Sequence, residues 1–255
     1  MDSGAFDGKN ALGNEWVQNH QQRNSTPDVK KNGVKPWLKK MWCIGEMTPE
    51  YTERMHDLLD LYAEPYDPKK PVVCFDEKSK QLLGHVKNPL RGRVTREDYN
   101  YARNGTRNIF MAVEPKGGKR CTEVTRRRKK GDFARFMKRL VCEQYSGADT
   151  IRLVMDNLNT HNESSFYETF GAREAKRLLK KLEFHYTPKH ASWLNMAEIE
   201  IGVMDRQAIK GRISDEAALK RRIAIWQGKR NFDRIGIKWT FTKEKADRKM
   251  SKYYI

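Results

Sequence analysis

The sequence predicts an α/β protein in which helices cover one mixed sheet. Two apolar runs, residues 71–75 and 151–155, have the length and composition of buried strands, and an aspartate follows each of them directly. Further short strands, one hairpin and several helical apolar patterns surround them, so the order is not a long series of strand–helix–strand units. The chain contains neither G-x-G-x-x-G nor G-x-x-x-x-G-K-[ST], which disfavours nucleotide-cofactor folds.

Composition indicates the class of partner. The chain has 255 residues, of which 38% are hydrophobic and 10% aromatic, enough for a packed core and too apolar for a wholly disordered protein. Its net charge is +18: residues 1–70 carry −1, and the rest carry +19 (41 Lys and Arg against 22 Asp and Glu). A body this basic predicts a polyanionic partner, most often nucleic acid.

The same composition excludes several classes of protein. No stretch reaches the roughly 18 apolar residues that a membrane span needs. The N-terminal segment has neither the basic nor the apolar region of a secretory signal. The four cysteines are far apart, which disfavours a structural zinc site and is typical of reduced thiols in a cytosolic protein.

The first seventy residues divide in two. Residues 1–35 are polar and without a lasting apolar period, which predicts a flexible leader. Residues 36–70 predict a linker and a helix that lead into the main domain, residues 71–255. Thr48 is placed to cap that helix, Pro49 suits its first position, and Glu64 with the following proline ends it.

Strands and helices alternate through the main domain. Residues 71–75 predict a strand that ends at Asp76, and residues 81–86 predict a second, separate strand. A Pro-Lys-Gly-Gly turn between two further apolar runs predicts a hairpin. The remaining predictions are hairpin strands at 108–114 and 119–125, strands at 151–155 and 184–186, and helices at 132–145, 163–169, 172–182, 192–209, 214–229 and after Thr242.

Two aspartates follow predicted strands. Side chains leave the core where strands end, and sites of α/β sheets gather there, which singles out Asp76 and Asp156. If the two strands are neighbours, the carboxylates repel each other unless a proton or a cation lies between them. Mg²⁺ prefers oxygen ligands, and two such ions can clamp the attacking and leaving oxygens of a phosphodiester. The alternative is a pair of ordinary strand-end aspartates.

A long predicted helix supplies a third carboxylate. Glu198 and Glu200 both lie early in it. Residues two apart on a helix differ by about 200° in direction, so only one of the two can face a site. The apolar stripe of the helix lies between them and leaves the choice open.

Several segments resemble the mariner-related transposases of bacterial insertion sequences. D-N-x-x-x-H from Asp156 resembles their second-aspartate motif, and Leu-Asn-Met-Ala-Glu, ending at Glu198, resembles their third motif, Leu-Asn-Pro-x-Glu. CFDEKSKQLLG from Cys74 resembles the strand of the first aspartate, and YNYARNGTRNIFMAVEPKGG from Tyr99 resembles one branch of the family. The resemblance covers residues 35–255, with the motifs in the family's order.

This resemblance implies a ribonuclease H-like catalytic domain, a mixed sheet flanked by helices. It implies a catalytic triad of Asp76, Asp156 and Glu198 that binds two Mg²⁺ or Mn²⁺ ions. It also implies DNA strand cleavage by activated water, followed by attack of the freed 3′-hydroxyl on target DNA. The implied partners are transposon ends and target DNA, with a homodimer as one possible assembly and no membrane. The implied location is the bacterial cytoplasm, at the nucleoid.

The sequence departs from the family in two places. Ser192 and Met196 stand where many members have proline, which leaves the helix start open; the motif match favours Glu198 over Glu200. Residues 1–35 are too short and too polar for the helix-turn-helix units that usually precede the catalytic domain. We therefore expect a catalytic domain without its recognition module, from a truncated or frame-disrupted reading frame.

Other residues are candidates near the site or for DNA contact. His161 is close enough to the second aspartate to orient water or phosphate, or else it caps its loop. A basic run between the hairpin and the next helix contacts DNA phosphates or forms an ordinary solvated turn. The near-site candidates are Asn157, His161, Asn195 and Glu200, and the basic run is Arg126, Arg127, Arg128, Lys129 and Lys130.

Three rival functions stand beside a transposase. An inactive DNA-binding transposase remnant would lack a triad member or the recognition module, and only the module is missing. A general ribonuclease H-like nuclease would share the triad, but the segment that ends at Glu198 resembles transposases in particular. A basic structural or ribosome-associated protein would explain the charge but not three carboxylates in motif order.

Overall fold

The structure, a computed structural model, describes residues 48–90, 96 and 98–250. The predicted flexible leader, residues 1–35, lies outside the described residues, as does the first part of the predicted linker. The described residues belong to one structural unit, Ile44–Ile255. None of the helices that they form combines the length and the apolar character needed to cross a bilayer.

Five strands form a mixed sheet in the order β3-β2-β1-β4-β5. The strands β1, β2 and β3 pair antiparallel, whereas β4 runs parallel to both β1 and β5. The strands are β1 (Val72–His85), β2 (Tyr101–Glu114), β3 (Lys119–Thr125), β4 (Ile151–Met155) and β5 (Leu182–Tyr186). The predicted mixed sheet is confirmed, and the two strands that lead to the aspartates are adjacent.

Helices flank the sheet. They are α1 (Pro49–Ala63), α2 (Lys130–Arg139), α3 (Ser164–Phe170), α4 (Ala172–Leu179), α5 (Met196–Gln207), α6 (Glu216–Phe232) and α7 (Lys243–Met250). A π-helical turn, Leu140–Gln144, continues α2, and a 3₁₀ turn, Ser192–Leu194, precedes α5. The helix predicted from residue 192 therefore begins four residues later, at Met196, after this separate turn.

The sheet separates two apolar cores, because successive side chains of a strand point to opposite faces. Val73 and Phe75 of β1 pack with α2, α3 and α4 in the first core. Cys74, between them, packs with α1 and the start of α5 in the second core. A third cluster joins Leu82 of β1 and Ile109 and Met111 of β2 to α5 and α6. Each residue of β1 is thus assigned to a face by its position.

The helix α1 begins where the sequence predicts. Thr48 Oγ1 accepts a hydrogen bond from the Tyr51 N–H at 3.2 Å, and Pro49 is the first helical residue. The predicted apolar stripe is buried in the second core, and Glu64 caps the C-terminus. The Tyr62 hydroxyl donates to the Leu194 carbonyl at 2.9 Å, which joins α1 to the turn before α5.

The extent of β1 corrects one prediction. The sequence predicts a strand end at Asp76 and a new strand from residue 81, but β1 runs from Val72 to His85. Residues 77–81 are polar, and they keep strand geometry because they pair with β2. That pairing also makes β2 begin at Tyr101 rather than at the predicted residue 108. Asp76 therefore lies inside a strand, not at its end.

Candidate active site

Asp76 and Asp156 lie at matched positions of neighbouring strands. In the parallel pairing Cys74 is opposite Val154, and each aspartate follows two residues later. Residues two apart on a strand share a face, so both carboxylates belong to the face of the second core. Because β4 ends at Met155 while β1 continues, Asp156 stands just past a strand end, beside the middle of β1.

The start of α5 is tied to the strand that carries Asp76. Asn195 caps the helix: its Oδ1 accepts a hydrogen bond from the Ala197 N–H at 3.1 Å. Its Nδ2 donates to the carbonyl of Phe75, the residue before Asp76, at 2.8 Å. Glu198 lies in the first turn of α5 and its side chain is exposed. The cap therefore fixes the turn that carries Glu198 beside β1.

Asp76 is influenced electrostatically by the other carboxylates of the site. The pKa of Asp76 is raised to about 7, first because burial disfavours the charged form. A hydrogen bond from the Glu77 N–H, 2.7 Å from Asp76 Oδ1, opposes this shift, and the negative charges of Asp156, Glu198 and Glu77 add to it. Asp76, Asp156 and Glu198 thus share one electrostatic site.

His161 bridges Asp156 and Glu77. Its Nδ1 lies 2.6 Å from Asp156 Oδ1, and its Nε2 lies 3.0 Å from Glu77 Oε2. The ring is buried against Phe75 and Phe133, with centroids 5.3 and 4.9 Å apart. Burial alone lowers the pKa of His161, but the hydrogen bond to Asp156 and the contact with Glu77 outweigh it and raise the pKa to about 9. A cationic ring therefore holds one oxygen of Asp156.

Sequence patterns alone do not identify Glu77. It follows Asp76 in β1 and therefore points to the opposite face, where its side chain is only 4% exposed. Arg128 Nη1 lies 3.5 Å from its Oε1. The signal that could have found it is its charge, since a glutamate within a buried strand needs a partner.

Glu200 belongs to a different environment. It is fully buried on α5, with Arg120 Nε at 2.8 Å and Arg230 Nε at 2.5 Å from its Oε1. Two guanidinium groups neutralise this carboxylate, which leaves it unsuited to hold a metal ion. The geometry therefore favours Glu198 in the choice that the helix pattern leaves open.

Asn157 is exposed and lines a groove beside Asp156. The groove has a volume of about 940 Å³ and lies between the start of α1, the loop after β4 and the loop after β5. Arg54 and Lys189 bring positive charge to it, and Glu50 brings negative charge. An extended polyanionic strand has room to approach Asp156 from this side.

Four residues of the basic run lie on the loop between β3 and α2, Lys130 begins α2, and Arg128 brings the run beside Glu77. Arg128 reaches Glu77, Arg126 Nε lies 3.7 Å from Glu216 Oε2, and Lys130 Nζ lies 2.6 Å from Glu168 Oε1. Arg126, Arg127, Arg128 and Lys129 are exposed. Contact of this run with DNA stays a prediction.

The donor set suits a hard divalent cation. Among the described residues no three His, Cys, Asp or Glu side chains are already arranged as a metal-binding cluster. Asp76 and Asp156 each have Oδ1 in a hydrogen bond, with the Glu77 N–H and with His161. Carboxylate oxygens are the ligands that Mg²⁺ and Mn²⁺ prefer. The raised pKa of Asp76 marks negative charge that a cation would offset, so these residues fit such an ion.

A comparison with protein families matches a large part of the chain. Residues 71–220 match the family model described as "DDE superfamily endonuclease". This range contains Asp76, Asp156 and Glu198. No curated protein matches the sequence.

Solved structures of the Mos1 mariner transposase are similar in fold. The Mos1 paired-end complex with Mn has a TM-score of 0.52 at 11% identity, covering 99% of this chain and 82% of that chain. The pre-cleavage Mos1 transpososome has a TM-score of 0.53 at 12% identity, covering 100% and 82%. At this identity the similarity concerns the fold alone, and it confirms the predicted ribonuclease H-like fold.

Proposed function

Because the chain belongs to the DDE superfamily endonucleases, we propose that it is the catalytic domain of a DNA transposase. The proposed reaction is metal-dependent cleavage of DNA strands and their transfer to target DNA during transposition of an insertion sequence. One observation carries the proposal: Asp76 and Asp156 follow matched positions of neighbouring strands, and the Asn195 cap ties the turn of Glu198 to the residue before Asp76, within the residues that match the family.

Asp76, Asp156 and Glu198 are the proposed catalytic residues, and they would hold two Mg²⁺ or Mn²⁺ ions. When bound, such ions lower the pKa of water and stabilise the charge that develops on a phosphodiester. The protein's own part is to keep the three carboxylates on one face. The pairing of β1 with β4 does this for the aspartates, and the Asn195 cap does it for Glu198.

His161 is proposed to orient Asp156. Its Nδ1 contacts Oδ1 of that carboxylate, so Oδ2 is the oxygen presented to a ligand. Glu77 Oε2 lies 3.0 Å from the other ring nitrogen, and the rings of Phe75 and Phe133 pack against the imidazole, which limits its rotation. Mutation of a residue that orients a metal ligand in this way typically lowers metal affinity or activity by about 10–100-fold.

DNA is the proposed partner, as transposon ends and as target. The net charge of +18 and the exposed basic run support contacts with phosphates, which carry no sequence information. Mos1 transposase forms a paired-end complex with its left transposon end, which supports a homodimer here, one copy for each end. A protein with this role in a bacterium would work in the cytoplasm, at the nucleoid.

Asp156→Asn tests the catalytic proposal. With DNA that carries the element's ends, the wild type should give nicks and strand-transfer products in Mg²⁺ or Mn²⁺. The variant should lose both by more than about 100-fold, because it removes a metal ligand. DNA binding should stay nearly unchanged, because the basic surface is untouched. Asp149→Asn, an exposed aspartate before β4, is the matched control and should behave as wild type.

The outcomes separate the rival functions. Cleavage that survives Asp156→Asn would end the catalytic proposal. A wild type that binds DNA but cleaves it with neither metal would instead be an inactive DNA-binding remnant. Metal-dependent cleavage of unrelated DNA without strand transfer would indicate a general ribonuclease H-like nuclease.

A further inference from the structure

We infer that Glu200 is a positioning residue: with Arg120 and Arg230 it fixes the rotation of α5 and so aims Glu198 at the metal-binding face. The inference rests on the proposed function. It extends that function to a buried ion cluster that lies away from the proposed metal and DNA contacts.

The first step is the burial and geometry of the cluster. The side chains of Glu200 and Arg120 are both 0% exposed, and that of Arg230 is 12% exposed. Arg120 Nε donates to Glu200 Oε1 at 2.8 Å. Arg230 donates to both oxygens, from Nε to Oε1 at 2.5 Å and from Nη2 to Oε2 at 3.0 Å. Because both oxygens are held, the direction of this carboxylate is fixed.

The second step is that Arg120 is anchored to several segments. Its Nη1 donates to the Gly118 carbonyl at 2.8 Å, and its Nη2 donates to the carbonyl of Ile235. Its backbone exchanges two hydrogen bonds with the side chain of Asn231 on α6, at 2.7 and 2.9 Å. Gly118 has φ of +67°, and a Cβ there would meet the Arg234 carbonyl oxygen at 2.5 Å. The cluster thus joins α5 to the β2–β3 turn and to α6.

The third step is the direction of Glu198. Asn195 sets where α5 starts, and Glu200 sets how the helix is rotated about its axis. A helix turns by about 100° per residue, so Glu198 points about 200° away from Glu200 and from the ion cluster. Glu198 is exposed in that direction, in the first turn of α5, which Asn195 ties to the carbonyl of Phe75, the residue before Asp76.

Three apolar side chains of α5, Met196, Ala197 and Met204, are buried on the same side of the helix as Glu200. Ile199 is 44% exposed, while Glu200 beside it is fully buried, the reverse of what an apolar stripe would give. A rotation that buried Ile199 in place of Glu200 would turn Glu198 by about 100°. It would also break the hydrogen bonds of Glu200 with Arg120 and Arg230, so the ion cluster and the buried apolar side chains hold the same rotation and with it the placement of Glu198.

Glu200→Gln tests the inference because it keeps the shape of the side chain and removes its charge. Loss of a partner that orients a ligand typically costs about 10–100-fold in metal affinity. We expect the half-saturating Mn²⁺ concentration to rise about 10-fold. Two measurements without DNA report it: the Mn²⁺-induced rise in Tm, and titration of free Mn²⁺ by electron paramagnetic resonance. The Mn²⁺ requirement for cleavage should rise in parallel, with KM for DNA unchanged.

A matched control separates positioning from stability. Leu178→Ala removes a fully buried side chain on α4, in the other apolar core, and destabilises the protein away from α5. It should lower Tm without moving the Mn²⁺ midpoint. Arg230→Lys keeps the positive charge and loses the two-nitrogen contact with Glu200, so the Mn²⁺ midpoint should rise by a smaller factor. If Glu200→Gln does not fold, Arg230→Lys serves as the deciding variant.

Unchanged Mn²⁺ midpoints in the folded variants would overturn the inference and leave the proposed function standing. A wild type that shows no Mn²⁺ response by either measurement, and no metal-dependent cleavage, would overturn the proposed function itself.

Discussion

Glu200 is fully buried and Asp76 is partly buried, and the two acidic groups have neighbours of opposite charge. Glu200 meets two guanidinium groups, Arg120 and Arg230. Burial is the largest cause that raises the pKa of Asp76, and the negative charges of other carboxylates add to it, so that the pKa is about 7. Burial therefore does not by itself mark a functional carboxylate. The sign of its neighbours does, because only an acidic group with unbalanced charge gains from binding a cation.

The largest expected effect on stability comes from removing one of the two guanidinium groups that neutralise Glu200. Arg120→Met leaves the buried carboxylate with one guanidinium and removes the bonds to Gly118 and Ile235. We expect the free energy of unfolding to fall by about 3–5 kcal/mol, measured by urea denaturation. Arg135→Met is the control, because Arg135 is exposed and paired with Asp132 at 2.9 Å. It should cost less than about 1 kcal/mol. Equal losses in the two variants would remove the distinction between the regions.

An intermediate effect on stability, of opposite sign, comes from replacing the ionisable carboxyl group of Asp76 by an amide. In metal-free buffer the folded protein keeps a proton on Asp76 that the unfolded chain has released above its ordinary pKa of 3.8. The free energy of unfolding therefore falls as the pH rises from about 4 to about 7. Asp76→Asn removes this term, so its stability curve should be flatter in that window.

At pH 8 we expect Asp76→Asn to be more stable than wild type by ~1–2 kcal/mol, less than the full shift implies because the side chain is only partly buried. Urea denaturation across the pH series measures it. Asp149→Asn should follow the wild-type curve. If the Asp76→Asn and wild-type curves coincide, Asp76 does not carry unbalanced charge.

The smallest effect on stability comes from the basic surface next to the site. Replacing Arg126, Arg127 and Arg128 by Ala should change the free energy of unfolding by less than about 0.5 kcal/mol, because these side chains are exposed. DNA binding should weaken for all sequences, and the slope of log K against log salt should flatten by about 2–3. Binding isotherms over a salt series measure this slope.

The control for the loop removes the same charge elsewhere. Replacing Arg173, Lys176 and Arg177 on α4 by Ala changes the net charge equally but leaves the β3–α2 loop intact. If both triple variants flatten the salt dependence equally, net charge rather than this loop governs DNA binding.

Elements with strong local signals were predictable from the sequence. The strand β4, in which four of five residues are apolar, and the cap of α1 by Thr48 and Pro49 are examples, and both are confirmed. The length of β1 was not predictable, because its polar residues 77–81 become a strand only through pairing with β2. Strand geometry there depends on a partner more than twenty residues away in the chain.

In the candidate site, too, residues with a local sequence signal were predictable, and residues that depend on distant contacts were not. Strand patterns single out Asp76 and Asp156, whereas Glu198 is preferred over Glu200 only through its motif. The burial of Glu200 depends on Arg120 and Arg230, 80 and 30 residues away in the chain, which no local period reports. Glu77 and His161 likewise meet only because β4 stops short beside β1.

The hydrogen bond from Asn195 to the Phe75 carbonyl joins parts of the chain 120 residues apart. During synthesis β1 and β4 leave the ribosome well before α5, and the ion cluster on α5 is complete only after Arg230 has emerged. On the proposed function, a nascent chain first acquires a basic surface and two aspartates, and its third ligand is fixed in place only after Arg230 has emerged. The ability to cleave DNA then arises in one step, so chains that have not yet reached Arg230 would occupy DNA without breaking it.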